Sequence, residues 1–380
     1  MKNSVFITTS PIGMGSGGGS VCYNICHALK KATDLKAIMA SCNSFPADLQ
    51  TPCICTRPDC YKQSDNPFLY DYFTYWNLPQ EHIDICHMYS APFGVTAREI
   101  KKRNPHATIL IDIPAHNLEE SVKEHEHLMG KYPYLHMTDP FLWKIYSEHI
   151  RQADIIISPS TVSSEYIRTS GTFGKILGIR QKHIPIIHIP HGTNLPKEED
   201  IKPFPEKFTV ATLSQNGCDK GQVYLVVAWK ALEAVFPPSL GYNCIVAGPN
   251  TDQWADYIKE QKIQNISVGY APSATDVYNN CTVYIHPSVT EGFGLTVLEA
   301  MSYGRPVVVS EGTGAVDLVE DGKNGFVIPI RDVNAIIGCV RWLHDNPSEC
   351  KKMGEAAKKT AENYDWSIIR KKYEAIYEII

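Results

Sequence analysis

The sequence contains no long apolar run. None of its 380 residues lies in a stretch that approaches the roughly 18 consecutive apolar residues of a membrane-spanning helix. The opening residues, MKNSVFITTSPIGMG, also lack the charged segment and long apolar core of a secretory signal peptide. These absences predict a cytoplasmic protein whose contact with a membrane is at most peripheral.

A strong excess of one charge is absent as well. The 36 Lys and Arg against 41 Asp and Glu give a net charge of −5, which argues against nucleic acid as a partner. The chain has no internal repeat and no low-complexity tract, so neither a solenoid nor a disordered protein is indicated. Its length predicts two domains.

Cysteine is frequent, with 12 residues, but the pattern does not predict disulfides. Several cysteines lie in apolar runs, as buried reduced thiols do in a chain without an export signal: Cys22, Cys26, Cys244 and Cys281. A further group, Cys53, Cys55 and Cys60, lies in a loop with two prolines. A zinc site needs four ligands, and the fourth is missing locally, although Cys42 or a histidine could supply it. Free thiols are therefore favoured over a metal site.

Short β-rich runs alternate with helical patterns along the whole chain, which is typical of parallel α/β architecture. The predicted strands of the first half are Val5–Thr9, Ala37–Ala40, Ile83–Met88, Thr108–Ile113, Ile155–Ser158 and Ile186–Ile189. Those of the second half are Phe208–Thr212, Asn243–Ala247, Ile266–Val268, Val283–Pro287, Pro306–Ser310 and Gly325–Ile328. A long helical pattern covers Leu118–Arg151, and another ends the chain at Tyr364–Ile380.

The two halves meet at a proline-rich, charged stretch in which nothing indicates a core. We therefore predict a first domain over residues 1–194, a linker over 195–207 and a second domain over 208–364.

The most informative motif is EGFGLTVLEAMSYGRPVVVS at residues 291–310. Seven residues separate Glu291 from Glu299, so on a helix the second acid lies roughly two turns beyond the first. Gly292 and Gly294 let backbone N–H groups approach a ligand, and the helix start after Gly294 favours negative charge. A carboxylate further along the helix can accept hydrogen bonds from a vicinal diol. A phosphate site with a diol beside it describes a nucleotide sugar.

This arrangement resembles the motif of two acids seven residues apart in retaining glycosyltransferases of family 4, the group 1 glycosyltransferases. The resemblance runs from the glycine-rich turn to the last helix and is strongest over residues 205–330. It implies the GT-B architecture, in which two Rossmann-like domains face each other across an interdomain cleft, with the helix at 365–380 packing back on the first domain. It also assigns ribose binding to Glu299 and contact with the transferred sugar to Glu291. In the same loop, Gly292, Phe293, Gly294, Leu295 and Thr296 are the implied contacts of the donor, with the last three meeting the diphosphate.

Residues 13–18, GMGSGG, fit the dinucleotide-binding pattern G-x-G-x-x-G between a strand and a helix. A dinucleotide-binding oxidoreductase requires an acid roughly 20 residues later, at the end of the second strand, to bind the ribose. The predicted second strand ends in MASCN without an acid, so an oxidoreductase is a poor alternative. The resemblance implies instead that Gly17, Gly18 and Gly19 bring backbone amides to the donor diphosphate.

Two further residues complete the predicted catalytic set, and one expected cation is missing. His116 follows the fourth predicted strand, where open α/β sheets bind ligands, and the family commonly has a histidine here that touches the transferred sugar. Lys220 matches a lysine that binds the donor phosphates in the resembling family. The partner arginine of that lysine is absent, because Thr212 stands at its expected position.

Two positions near predicted strand ends complete the donor-binding prediction. Gly248 lies at a crevice edge, and Tyr270 either stacks on the nucleotide base or simply packs.

The sequence thus predicts a retaining, metal-independent, hexosyltransferase-like enzyme without a cofactor. Its donor would be a UDP- or GDP-sugar, and its acceptor a glycan, a lipid-linked glycan or a small molecule. The missing arginine keeps open the alternative of a noncatalytic nucleotide-sugar-binding protein with the same fold.

Overall fold

The structure is a computed structural model. It describes residues 1–8, 10, 12–13, 17–40, 45–55, 67–89, 93–132, 150, 152–169, 184–236 and 242–380. The chain divides into two compact units. Unit 1 comprises Met1–Ala115, Asp139–Gly192 and Trp366–Ile380, and unit 2 comprises His116–Thr138 and Thr193–Asp365. No helix within the described residues is long and apolar enough to cross a membrane.

Unit 1 is built on a parallel sheet of seven strands in the order β3-β2-β1-β4-β5-β6-β7. Its strands are β1 Asn3–Thr8, β2 Asp34–Ala40, β3 Cys53–Cys55, β4 Ile85–Tyr89, β5 Thr108–Asp112, β6 Ile155–Ser158 and β7 Ile186–His188. The inner strands are almost continuously apolar because helices bury both faces of a parallel sheet.

The described helices of unit 1 are Gly18–Ala32, Pro67–Trp76, Gly94–Arg103, Thr161–Thr169 and Trp366–Ile379. The last of these buries an apolar face and two tyrosines. The hydroxyl of Tyr373 donates to Asp112 Oδ2 over 2.6 Å, and that of Tyr377 lies 2.7 Å from His87 Nδ1. The C-terminal helix is therefore tied to strands β4 and β5 of its own unit.

Unit 2 is built on a parallel sheet of six strands in the order β10-β9-β8-β11-β12-β13. The strands are β8 Phe208–Leu213, β9 Tyr242–Ala247, β10 Ile266–Gly269, β11 Val283–His286, β12 Val307–Ser310 and β13 Gly325–Ile328. Its described helices are Leu118–Leu128, Gln222–Leu232, Trp254–Glu260, Ala274–Asn279, Leu295–Ser302, Val333–Asp345 and Pro347–Glu362.

The helix Leu118–Leu128 belongs to unit 2, whereas the sequence assigned it to the first domain. Asn117 caps it by accepting from the amide of Glu120 over 3.1 Å, and the Asn117 amide donates to Thr290 Oγ1 over 2.7 Å. The fully buried carboxylate of Glu124 accepts from Arg331 Nε over 2.6 Å and from the hydroxyl of Tyr224. These contacts hold the start of the segment, and therefore His116, on unit 2.

The stretch predicted as a linker is also fixed to unit 2. The Lys202 amide donates to Asn279 Oδ1 over 2.9 Å, and the Lys202 carbonyl accepts from buried Arg305 over 2.6 Å. The Arg305 guanidinium lies over the ring of Phe204, 5.1 Å from its centroid. This stretch consequently packs on unit 2, although its composition gave no sign of a core.

The cysteine loop differs in part from the prediction. Cys53 and Cys55 lie in edge strand β3, while Cys42 and Cys60 fall outside the described residues. Among the described residues, no group of His, Cys, Asp and Glu is arranged to hold a metal ion.

Candidate active site

The strand order of unit 2 reverses between β8 and β11, and ligands bind at the carboxyl ends of strands beside such a switch point. The loop after β8 carries Lys220, and the loop after β11 carries Glu291. The two loops are joined by a hydrogen bond of 2.8 Å from the Val289 amide to the Asp219 carbonyl. Two distant parts of the sequence thus converge at one sheet edge.

Lys220 is held on a tight turn that only glycine can follow. The residues Cys218–Lys220 form a short 3₁₀ helix, and Gly221 has a φ of 64° in the left-handed region. A Cβ at Gly221 would lie 1.9 Å from the carbonyl oxygen of Pro287, at the end of β11. The close approach of this turn to β11 places the Lys220 ammonium beside Glu291.

Gly221→Ala is expected to lower the free energy of unfolding by about 1–3 kcal/mol through the left-handed conformation alone. The clash with Pro287 adds to the cost. Urea unfolding measures the change in the free energy of unfolding. Gly338→Ala is the matched control, because Gly338 lies in the helix Val333–Asp345 with open space around its Cβ, and alanine there should be neutral or stabilising. Equal stabilities of the two variants would contradict the assigned role of Gly221.

Lys220 lies between two carboxylates. Its Nζ is 2.6 Å from Glu291 Oε2 and 3.2 Å from Asp219 Oδ2. The three side chains are between 12% and 26% exposed, so solvent screens their interaction only partly. With both carboxylates ionised, this cluster of one ammonium and two acids carries a net charge of −1.

The charges in this cluster reinforce each other. Burial would raise the pKa of Glu291, but Lys220, His286 and His116 lower it to about 2. Burial would lower the pKa of Lys220, but Asp219 and Glu291 hold it above its usual value. Glu291 is therefore a permanent carboxylate and a weak base at neutral pH.

Two histidines border the ion pair. Burial lowers the pKa of His116, Lys220 lowers it further, and Asp219 and Glu291 oppose the change. His286, the last residue of β11, is 3% exposed, and burial together with Lys220 lowers its pKa to about 4 against the opposing effect of Glu291 and Asp219. Both imidazoles are therefore mainly neutral at pH 7, so they offer hydrogen bonds and no charge.

The glycine loop begins the helix Leu295–Ser302. Gly294 is its N-cap with a φ of 89°, and the N–H groups of Leu295 and Thr296 have no acceptor within the helix. The Gly292 amide donates to Glu291 Oε1 over 3.1 Å. The ring of Phe293 is 2% exposed and packs in the core of unit 2, which leaves its backbone as the part near the glycine loop, and its role in donor binding stays a prediction.

Glu299 lies on the same helix and is half-buried. The hydroxyl of Tyr278 donates to Glu299 Oε2 over 2.6 Å. Burial raises the pKa of Glu299, the bond from Tyr278 lowers it, and the result is about 7.

The remaining predicted donor contacts of unit 2 lie at the ends of β9 and β10. Gly248 has a φ of 131°, and a Cβ there would lie 2.1 Å from the Ser214 carbonyl oxygen, so this glycine is required by packing against the loop after β8. Tyr270 is 74% exposed, so its ring does not pack in the core. Thr212 is buried inside β8, and the first exposed side chain after that strand is Gln215.

Gly17, Gly18 and Gly19 belong to unit 1, where they begin the helix Gly18–Ala32. Gly17 has a φ of 74°, and its carbonyl accepts from the Ser20 amide over 3.1 Å. Residues 14–16 of the turn lie outside the described residues.

The structure thus brings His116, Lys220 and Glu291 together within unit 2, and places the glycine loop and Glu299 on the adjoining helix. Sequence reasoning missed Asp219, Tyr278 and His286. The position of His286 at a strand end, directly before Pro287, was the available signal, since strand ends at a switch point face ligands. No local pattern marks Tyr278.

A family model described as glycosyl transferases group 1 matches residues 196–360. This segment contains Lys220, Glu291, the glycine loop and Glu299, whereas His116 and Gly17, Gly18 and Gly19 lie before it. The resemblance inferred from the two-acid motif is confirmed at this level.

Curated relatives match a similar share of the chain. An uncharacterized glycosyltransferase of Haemophilus influenzae is 28% identical over 188 residues, which are 48% of this chain and 52% of the relative. The capsular polysaccharide biosynthesis glycosyltransferase CapM of Staphylococcus aureus is 28% identical over 180 residues, which are 45% of this chain and 46% of the relative. The matches span about half the length of these relatives.

Solved structures match the whole chain at low identity. Sucrose-phosphate synthase from Thermosynechococcus elongatus has a TM-score of 0.74 at 15% identity, covering 100% of this chain and 99% of the other. HepE of Anabaena, in complex with UDP-glucose, has a TM-score of 0.70 at 15% identity, and both chains are covered completely. At this identity the likeness establishes the fold, and the predicted two-domain α/β fold of GT-B glycosyltransferases is confirmed.

Proposed function

We propose that this protein transfers a sugar from a nucleotide-diphosphate donor to an acceptor hydroxyl, with retention of anomeric configuration and without a metal ion. The observation that carries the proposal is the contact of 2.6 Å between Lys220 and Glu291 at the switch point, beside the N-terminus of the helix Leu295–Ser302. The match of residues 196–360 to the group 1 glycosyltransferase model supports it. The structures of Anabaena HepE with UDP and UDP-glucose support a nucleotide-sugar donor, and the proposed donor is a UDP- or GDP-sugar.

Each residue has a defined task in this proposal. The Lys220 ammonium and the N–H groups of Leu295 and Thr296 stabilise the departing diphosphate. Glu291 orients the sugar ring through its hydroxyls, and neutral His116 contacts the same sugar. Glu299 accepts hydrogen bonds from a vicinal diol of the nucleotide.

The proton of the acceptor hydroxyl requires a separate destination. The pKa of Glu291, about 2, makes this carboxylate too weak a base. We therefore assign the proton to the leaving phosphate oxygen. The bond from the anomeric carbon to that oxygen breaks, the bond to the acceptor oxygen forms on the same face, and charge and atoms balance. The acceptor would be a glycan, a lipid-linked glycan or a small molecule.

A noncatalytic nucleotide-sugar-binding protein is the second candidate. Lys220 is already engaged by two carboxylates, and Thr212 gives no cation. A diphosphate would therefore enter a cluster of net negative charge and depend on backbone N–H groups. This arrangement favours weak donor binding.

Release of nucleoside diphosphate from a panel of UDP-, GDP- and ADP-sugars, with water as the acceptor, separates the two candidates. We expect one donor class to be hydrolysed above the blank rate in the presence of EDTA. Glu291→Gln should lower this rate at least about tenfold, whereas Glu320→Gln, an exposed carboxylate paired with Lys323, should leave it unchanged. Donor binding without release would favour the noncatalytic candidate. Proton NMR of the released sugar, recorded before mutarotation, reports the anomeric configuration.

A further inference from the structure

The side chain of Tyr278 forms a hydrogen bond with one carboxylate oxygen of Glu299, which lies in the helix Leu295–Ser302. Tyr278 lies in the helix Ala274–Asn279, it is 1% exposed, and its hydroxyl donates to Glu299 Oε2 over 2.6 Å. A buried hydroxyl that donates to a half-buried carboxylate fixes the rotamer of that carboxylate, since leaving the hydroxyl without an acceptor would be costly. Oε1 of Glu299 receives no hydrogen bond from Tyr278.

The ring of Tyr278 is fixed by two neighbouring tyrosines. Its centroid lies 5.8 Å from that of Tyr284 in an edge-on contact and 5.5 Å from that of Tyr303. The hydroxyl of Tyr284 donates to the Leu213 carbonyl over 3.1 Å, and the hydroxyl of Tyr303 lies 2.9 Å from Thr275 Oγ1. Of these three tyrosines, Tyr278 is therefore the one that directs its hydroxyl to Glu299.

The surroundings of Glu299 place the pKa of its carboxyl near neutral pH. The titratable groups that face it are Tyr278 from the helix Ala274–Asn279 and Tyr284 from β11, and neither supplies a positive charge. Burial and this lack of a cation account for a pKa of about 7. By contrast Glu291, on the preceding loop, is held ionised by Lys220.

We propose that Tyr278 is a positioning residue for the donor, fixing Glu299 to receive a vicinal diol of the nucleotide sugar, and that the diol is bound with release of one proton from Glu299. The proposal rests on the proposed function. An ionised carboxylate accepts a hydrogen bond from each of two hydroxyls, whereas the acid form uses one oxygen as a donor. The proton passes from the Glu299 carboxyl to solvent, so the bound state is the carboxylate.

Isothermal titration calorimetry tests the linkage directly. UDP-glucose, GDP-mannose and ADP-glucose are suitable probes, because a diphosphate esterified on both sides does not titrate near neutral pH. Titrations in two buffers of different ionisation enthalpy give the number of protons released per bound ligand. We expect close to one proton at pH 6 and almost none at pH 8.5, with affinity about tenfold weaker at pH 6 than at pH 8.

Three variants separate positioning from packing. Tyr278→Phe removes the hydrogen bond that lowers the pKa of Glu299, so the midpoint of the affinity profile should move to higher pH and affinity should recover at pH 8.5. Tyr303→Phe, in the same cluster but directed to Thr275, should leave the profile unchanged. Glu299→Gln should bind weakly and release no proton at any pH.

The outcomes distinguish a failure of the role proposed for Tyr278 from a failure of the proposed function. If Tyr278→Phe weakens binding equally at every pH and proton release is unchanged, Tyr278 only packs and this inference is overturned. Binding by the wild type without proton release overturns it as well, and leaves the proposed function standing. If none of the three nucleotide sugars binds the wild type at any pH, the proposed function fails first.

Discussion

Lys220→Met is expected to reduce kcat/KM for the donor on the order of 10³-fold. Methionine has an unbranched side chain one atom shorter than that of lysine, and it removes the cation that lies 2.6 Å from Glu291. A charge-assisted hydrogen bond to phosphate contributes about 1.5–3 kcal/mol, and a lost donor to developing charge costs about 10²–10³ in kcat. The effect should therefore fall on both donor affinity and kcat, as measured by nucleoside diphosphate release at varied donor concentration.

The same substitution also leaves two neighbouring carboxylates without their shared partner. Asp219 and Glu291 would repel each other in a half-buried turn, and the pKa of Glu291 should rise because Lys220 is the main group that lowers it. The double variant Lys220→Met/Glu291→Gln removes one of these charges and should recover thermal stability without recovering activity. Retention of more than a tenth of the wild-type kcat/KM by a stable Lys220→Met variant would contradict the assigned role of Lys220.

Much of the fold follows from the sequence because strand periodicity is local. All six strands predicted in the second half are present, and Gly325–Ile328 has the predicted bounds. Edge strand β3 was not predicted, since its three residues lie in a loop whose cysteines and prolines obscured the pattern. The helix Pro347–Glu362 was not predicted either, because its buried face uses mainly small residues such as Ala357 and Ala361.

The residues of the candidate site likewise fall into those that local motifs predict and those that depend on contacts between distant parts of the chain. Glu291, Glu299, Lys220 and the glycine loop could be predicted because each lies in a contiguous motif. Tyr278 could not, since its partner Glu299 is 21 residues away and their contact depends on how two helices pack. The roles given to these residues stay predictions until the variants above are measured.

That the helix Leu118–Leu128 packs on unit 2 could not be predicted either, again because the contact responsible joins residues far apart in the sequence. It follows β5 of unit 1 closely in the chain, so continuity favoured the first domain. The deciding contact joins Glu124 to Arg331, which are 207 residues apart. No periodic pattern reports such a pair, whereas burial of an unpaired carboxylate would have been prohibitive.

This pair carries the largest expected effect on stability. Arg331→Met should lower the free energy of unfolding by about 3–5 kcal/mol, because breaking a buried ion pair leaves an uncompensated charge. Glu124 is 0% exposed, and among the described residues its remaining hydrogen-bond partner would be the hydroxyl of Tyr224. Lys123→Met is the matched control, since Lys123 is 67% exposed and its pair with Glu120 should contribute less than about 1 kcal/mol.

The double variant Arg331→Met/Glu124→Leu separates charge from packing. Replacement of both partners removes the unpaired charge, so its urea midpoint should lie above that of Arg331→Met. Donor binding should weaken in Arg331→Met even well below its unfolding midpoint, because the helix that Arg331 anchors begins directly after His116 and Asn117. A stability within about 1 kcal/mol of Lys123→Met would contradict the role assigned to the pair of Glu124 and Arg331.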